Sequence, residues 1–290
     1  MQLQQRVRPK LHDCNNGSDL NCMIATRGQT PTTYKLNIII VSLLLYNIGM
    51  KSEKIRYVSP DTPAAVTEYL RERGYEVLTV RPLPNVAAPI ASHPDIQMCR
   101  LGCHDNSPVF IPGPDSLAVL SRDYPGDVRY NAACTGKYFI HNLAYTDPEL
   151  LRIATDLTPN CNNATTGLAP NCNNATTGLA RCCINVKQGY AKCSCVVVDE
   201  DSIITYDAGI ARACMAAGVN VLVVRPGHVV LNGYDTGFIG GASGRIDDTI
   251  VFCGDVLAHP DGRMIVDWIE SRGLECKWFD FPLTDIGSII

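Results

Sequence analysis

The sequence predicts an α/β fold in which one small unit, strand, helix, strand and then a Gly-rich hairpin, is repeated around the molecule. Three observations predict it. The unit occurs twice in succession between Asp199 and Ile290. The stretch Tyr75–Pro82 then matches Val219–Pro226 at five of eight positions, and in both places it follows a helix stopped by Gly. Finally, helical stretches fall near 63–73, 115–122, 148–156, 208–217 and 261–272, so five units are present, and five similar units suggest a closed ring.

Residues 1–49 differ in character from the rest of the chain. Gln2–Tyr34 is polar and without period, which predicts poor order. Leu36–Ile48 is apolar but only thirteen residues long and holds two Asn. A spanning helix needs ~20 apolar residues, so the segment reads as an extension, with membrane anchoring as the lesser alternative, and Met50 opens one domain, 50–290.

The first unit begins with Lys54–Ser59 as a strand and a helix capped by Asp61, opened by Pro63 and carrying Ala65, Val66, Tyr69 and Leu70 on its apolar face. Ser92–Gln97 follows, then Met98–Cys103 and Val109–Ile111 as a hairpin and Pro114–Asp123 as a short helix. Lys137–Asn142 and Cys183–Lys187 are strands either side of a helix starting at Asp147-Pro148. An insertion at 158–181 interrupts this third unit: Pro159–Ala169 is repeated without change as Pro170–Ala180, and its turn-forming residues predict an exposed loop. Asn163 and Asn174 there are formal glycosylation acceptors, and Cys161 and Cys172 could bind metal, but a neutral duplication explains the segment better. Gln188–Val198 reads as the next hairpin.

The fourth unit runs through the strand Ser202–Asp207, the helix Ala208–Ala217 with Ile210, Ala213, Cys214 and Ala217 at helical spacing, and the strand Val219–Val224. The fifth has Thr249–Cys253, a helix from Pro260 to Arg272 with Met264, Ile265, Trp268 and Ile269 on one face, and Leu274–Phe281. Between them Asn232–Gly244 carries five Gly beside His228 and Asp235. A ring leaves edge strands exposed unless its ends meet, so Ile286–Ile290 should pair back near the first unit.

Composition bounds function. The chain has 290 residues, 46% apolar and 19% charged, enough for a substantial core, and its net charge of −4 comes without any Lys/Arg run. That argues against nucleic acid and for a small-molecule ligand. Fourteen Cys in a chain of this size read mostly as small buried hydrophobes, which implies a reducing cytoplasm.

His93-Pro-Asp-Ile-Gln97, Gln188-Gly-Tyr-Ala-Lys-Cys193, Gly237-Phe-Ile-Gly-Gly-Ala-Ser-Gly244 and Leu283-Thr-Asp-Ile-Gly-Ser-Ile-Ile290 together resemble a group of uncharacterised bacterial proteins, chiefly from Firmicutes, placed in the guanidino-group-modifying enzyme or pentein fold. The resemblance covers Lys54–Ile290 apart from the insertion, and it implies a five-unit pseudo-symmetric α/β propeller about a narrow axial channel. The superfamily holds deiminases, dimethylarginine hydrolases and amidinotransferases, and also a noncatalytic ribosome-binding initiation factor, so fold alone leaves function open.

Enzymes of that superfamily use a late Cys nucleophile, a His general acid/base and carboxylates that grip the planar cation. In this chain the resemblance directs attention to Cys193 and His228 as catalytic candidates, and to His93, Asp95, Gln97, Lys192, Asp235, Ser243 and Asp285 as ligand-binding ones. No Cys follows Cys276, so the late nucleophile is missing. Cys193 is the substitute, because Lys192 beside it could lower its pKa; a structural thiol, or a redox or metal couple with Cys195, are the alternatives. His93 and Asp95 flank Pro94 and read equally as a tight turn, His141 as a cap, and the Gly of 237–244 as close packing. Asp95, His228 and Asp235 are expected to line one pocket. The implied function is hydrolase- or amidinotransferase-like action on a guanidino or amide compound, without cofactor or metal; the alternative is a noncatalytic binding module.

Overall fold

Short β-branched stretches alternate with amphipathic helices, and three times they fold into the same motif of two antiparallel strands followed by a helix and a parallel third strand. The computed structural model describes residues 54–156 and 182–290, all within one compact unit, Glu53–Ile290. In the first such motif β5 (Ala133–Cys134) is antiparallel to β6 (Tyr138–His141), and β6 runs through α4 (Pro148–Asp156) to a parallel β7 (Cys182–Asn185). The next is β8 (Cys195–Asp199), β9 (Ser202–Thr205), α6 (Ala208–Ala216) and β10 (Asn220–Val223), with a single-turn helix α5 (Ala191–Ser194) leading in. The last is β11 (Ser243–Ile246), β12 (Thr249–Phe252), α7 (Gly262–Glu270) and β13 (Glu275–Lys277).

The two earlier sheets are smaller. β1 (Ile55–Val58) is parallel to β2 (Glu76–Thr79) across α1 (Ala64–Glu72). After the helical turn α2 (Pro94–Gln97), β3 (Cys99–Arg100) is antiparallel to β4 (Val109–Phe110), and α3 (Pro114–Ala118) follows. The described residues thus form a mixed α/β structure of five small sheets. β3 packs beside β5, β5 beside β8, and β8 beside β11. The row continues from β11 into the end of the chain, because Ile289 N donates to Ser243 O at 3.1 Å.

As expected, the segment Ile286–Ile290 returns to the first unit. Tyr57 N donates to Ile290 O at 2.7 Å and Ile290 N to Tyr57 O at 3.1 Å. Apolar burial seals the join: Val66 and Leu70 of α1 share a core with Ile246, Val251, Ile286 and Ile289. Cys195 and Cys214 lie in a second core and Cys253 in this one, where thiols pack as small hydrophobes.

The five helices expected from periodicity are present, because Val66 and Leu70, or Ile265 and Ile269, recur at the spacing that buries one face. Several details differ. Pro63, not Asp61, is the N-cap of α1. Gln188–Val198 holds α5 before β8, so Cys193 is helical and does not share a strand face with Cys195. The Gly-rich stretch is loop up to Ser243, where β11 begins. The extension 1–49, with Leu36–Ile48, and the whole insertion 158–181, with Cys161, Cys172, Asn163 and Asn174, lie outside the described residues. Among those described, no helix is long and apolar enough to cross a membrane.

Candidate functional site

Two single-turn helices carry the central groups. Pro94 at the first position of α2 fixes the φ a helix needs, and the turn puts Asp95 fully inside the protein. Cys193 comes from α5 and is equally sealed. Asn131, just ahead of β5, joins them. Its Oδ1 accepts from Lys192 N at 2.9 Å and Cys193 N at 3.1 Å, while its Nδ2 donates to Asp95 O and to Cys193 Sγ, both at 3.0 Å.

The Cys193 thiol donates to Asp95 Oδ2 at 3.2 Å, and the same oxygen accepts from Ser288 Oγ at 2.6 Å. Lys192 Nζ in turn donates to Ser288 Oγ at 2.9 Å and to Gly240 O at 3.2 Å. A continuous hydrogen-bonded line therefore runs from ammonium to hydroxyl to carboxylate to thiol. Ser288 reaches its place with φ +70°, a left-handed conformation that a non-Gly residue adopts only when its surroundings impose it.

Asp285 is the second buried carboxylate. It accepts from Phe238 N at 2.9 Å and Gly287 N at 3.0 Å, and its Oδ1 lies 3.8 Å from His93 Nδ1. Gly241 and Gly287 make this possible, since a Cβ on Gly241 would overlap the Asp285 carboxylate and one on Gly287 the His93 side chain. Burial raises the Asp285 pKa, an effect the His93 imidazole opposes and the Asp95 charge reinforces. Burial, then Asp95 and Asp285, push the Cys193 thiol well above its ordinary range. The Lys192 charge, expected from sequence to lower that pKa, is directed at Ser288 and Gly240 instead.

Asp95 Oδ1, His93 Nδ1 and Asp127 Oδ1 are buried and make no hydrogen bond. Asp127 Oδ2 accepts from the Tyr190 hydroxyl, and burial raises the Asp127 pKa. Tyr190 continues an aromatic row, its ring 5.7 Å from Phe238, which stacks at 6.0 Å on Tyr206. Tyr190 is the N-cap of α5, which carries Cys193, and Phe238 N donates to Asp285, so the row adjoins the site.

A family model matches residues 57–178 and again 165–290, between them every described unit. The chain belongs to DUF6873, a family of unknown function. The two DUF6873 matches overlap at 165–178, inside the tandem copies of the insertion. No curated protein and no solved structure matches the chain.

Of the residues singled out from sequence, the DUF6873 fold brings together His93, Asp95, Lys192, Cys193 and Asp285. Ser243 is close by, its hydroxyl donating to Gly240 O at 3.0 Å. Gln97 faces the chain behind, donating to Arg81 O and Ala91 O at 2.9 Å. His228 and Asp235 do not join the group, which corrects the expectation of one pocket shared with Asp95. His228 follows a Pro-Gly turn, adopts φ +63° and sets its exposed ring against His259 at 5.4 Å. Asp235 sits in the exposed loop 232–236. His141, read as a cap, is a buried bridge to Thr146 and Gly189. Sequence reasoning misses Asn131, Asp127, Tyr190 and Ser288; of these, Tyr190 and Ser288 lie within the marked motifs Gln188–Cys193 and Leu283–Ile290.

Proposed function

We propose that this chain is a pentein-like ring of five α/β units whose polar centre takes a small cationic guanidino or amide ligand. The observation that carries the reading is the Asp95 carboxylate, fully buried with one oxygen that has no partner, beside a thiol and a second buried carboxylate. A buried acceptor left open is costly in isolation, roughly 1–3 kcal/mol, and a flat N–H donor cation satisfies it. The aromatic row of Tyr190, Phe238 and Tyr206 supports the same ligand class through ring faces that attract cations.

A cation at this place also changes Cys193. It offsets the Asp95 and Asp285 charges that hold the thiol protonated, and so favours the thiolate. Hydrolase- or amidinotransferase-type action then has a nucleophile: sulfur bonds to the central carbon, the C–N bond breaks, and the amine departs with the proton the thiol gave up. The noncatalytic reading rests on a specific observation too, the burial that keeps Cys193 a thiol in the resting protein.

Calorimetric titration with agmatine, arginine and methylguanidine tests the ligand class. The parent protein is expected to bind at least one, and Asp95→Asn or Asp285→Asn to weaken it by roughly tenfold, about 1.4 kcal/mol. Absence of binding by the parent to every compound would sink the proposal. Iodoacetamide labelling separates the two readings: ligand-accelerated labelling of Cys193 supports catalysis, and binding with no acceleration supports a binding module.

A further inference from the structure

The Lys192 end of the hydrogen-bonded line opens on a cavity of about 40 Å³ lined by residues of β3, β5, β8 and β11 and by Ile289 and Ile290. Its charged side chains are Arg100, Lys192 and Arg245, and none of its lining side chains is acidic. These cations find mainly neutral acceptors. Arg100 Nη1 donates to the carbonyls of Asp105 at 3.4 Å and Ser107 at 3.2 Å, and Lys192 to Gly240 O and Ser288 Oγ. Arg245 donates to Asp247 O at 3.0 Å and Val198 O at 2.9 Å, and reaches only the exposed Asp248 carboxylate, at 3.3 Å.

Nearby acid is already used. Asp105 takes the Arg56 guanidinium and the Tyr75 hydroxyl. Arg56 is itself buried, and its Nε has no partner. Burial, with Arg56 adding repulsion, pulls the Arg100 pKa down to about 10. Three cations that find mainly neutral acceptors around one small space favour an anion over water as its occupant, while Arg56 behind them is paired with Asp105.

We propose that this cavity is a binding site for one small inorganic anion, held by Arg100, Lys192 and Arg245. A single water needs ~10–15 Å³ on this measure, so the space suits a halide or one tetrahedral oxyanion and excludes a nucleotide or a peptide. The proposal is independent of the cationic-ligand reading, which concerns the carboxylates at the other end of the line.

The test uses the parent protein and Arg100→Met. Melting in sodium chloride, bromide, sulfate and phosphate is compared with sodium gluconate at equal ionic strength, since gluconate is too large for the cavity. A saturable rise in Tm is expected for at least one small anion. Arg100→Met should need roughly ten times more of that anion for half the rise. A rise that grows linearly with salt and is equal in both proteins is general salt exclusion and counts against the site. Crystals of the parent grown in bromide and in sulfate decide independently of the variant: an anomalous bromide peak, or sulfate density, against Arg100, Lys192 and Arg245 supports the proposal and distinguishes halide from oxyanion. Water alone in the cavity under both conditions, or ions bound only on the surface, overturns it.

Discussion

Cys193 rests protonated despite a lysine next to it in sequence, first because it is buried and then because the Asp95 carboxylate faces it, accepting from both the thiol and the Ser288 hydroxyl. The sequence marked Asp95 through the turn His93-Pro-Asp, and marked Cys193 through Lys192. It could not show that the Lys192 side chain turns away, nor that Asn131 joins the two, because those contacts link residues dozens of positions apart. His141 shows the same limit and yields a pH prediction. Its neutral ring lies 2.7 Å from Thr146 Oγ1 and 2.8 Å from Gly189 O, and burial lowers its pKa from 6.5 to about 4. The unfolded chain therefore takes up a proton that the folded one refuses, so the contribution is intact above pH 6.5 and is lost as pH falls toward 4. The loss approaches roughly 3 kcal/mol. Urea melts at pH 7 and pH 4.5 should show that decline in the parent and a flatter response in His141→Gln; equal slopes would mean that His141 is not the group responsible.

The helices α1, α6 and α7 were the most legible elements, since each buries one stripe at regular spacing and ends near a Gly. The single-turn helices α2 and α5 were not legible, because four residues are too few to show a period and both were read as turns or hairpins. Yet those two turns place Asp95 and Cys193. Loop glycines offer a test at this scale. Gly287 and Gly273 have nearly equal φ, +71° and +73°, but an added Cβ meets His93 at Gly287 and open space at Gly273. Gly273→Ala should lose about 1 kcal/mol, for conformation alone. Gly287→Ala adds overpacking of about 1–3 kcal/mol and should also weaken any ligand held at Asp285. Denaturant midpoints of the two variants measure the difference; equal losses would show that Gly287 serves backbone conformation only, without a packing role.

At the scale of the molecule, repetition was readable in the matched octapeptides and the order of elements, whereas the residues that join successive sheets were not. The duplicated segment lies between α4 and β7, and β7 keeps a regular register with β6, Phe139 facing Cys183 and Ile140 facing Ile184. Deleting Pro159–Ala169 shortens the connection by one copy of the repeat. Closure entropy changes by only ~0.6 kcal/mol per doubling of loop length, so thermal melts of the deletion and the parent should agree to within about 1 kcal/mol. A loss of several kcal/mol would show the repeat to be packed on the core.

The pairing of Tyr57 with Ile290 bears on how the protein is made. Synthesis delivers β1 well before its antiparallel partner, with nearly the whole described chain between them. Until translation releases that segment, β1 keeps an open edge and the α1 face lacks Ile286 and Ile289. Contacts so distant along the chain also form slowly. The nascent protein therefore presents an unfinished, sticky seam until that segment emerges, and exposed edges and apolar faces of this kind are where off-pathway association starts.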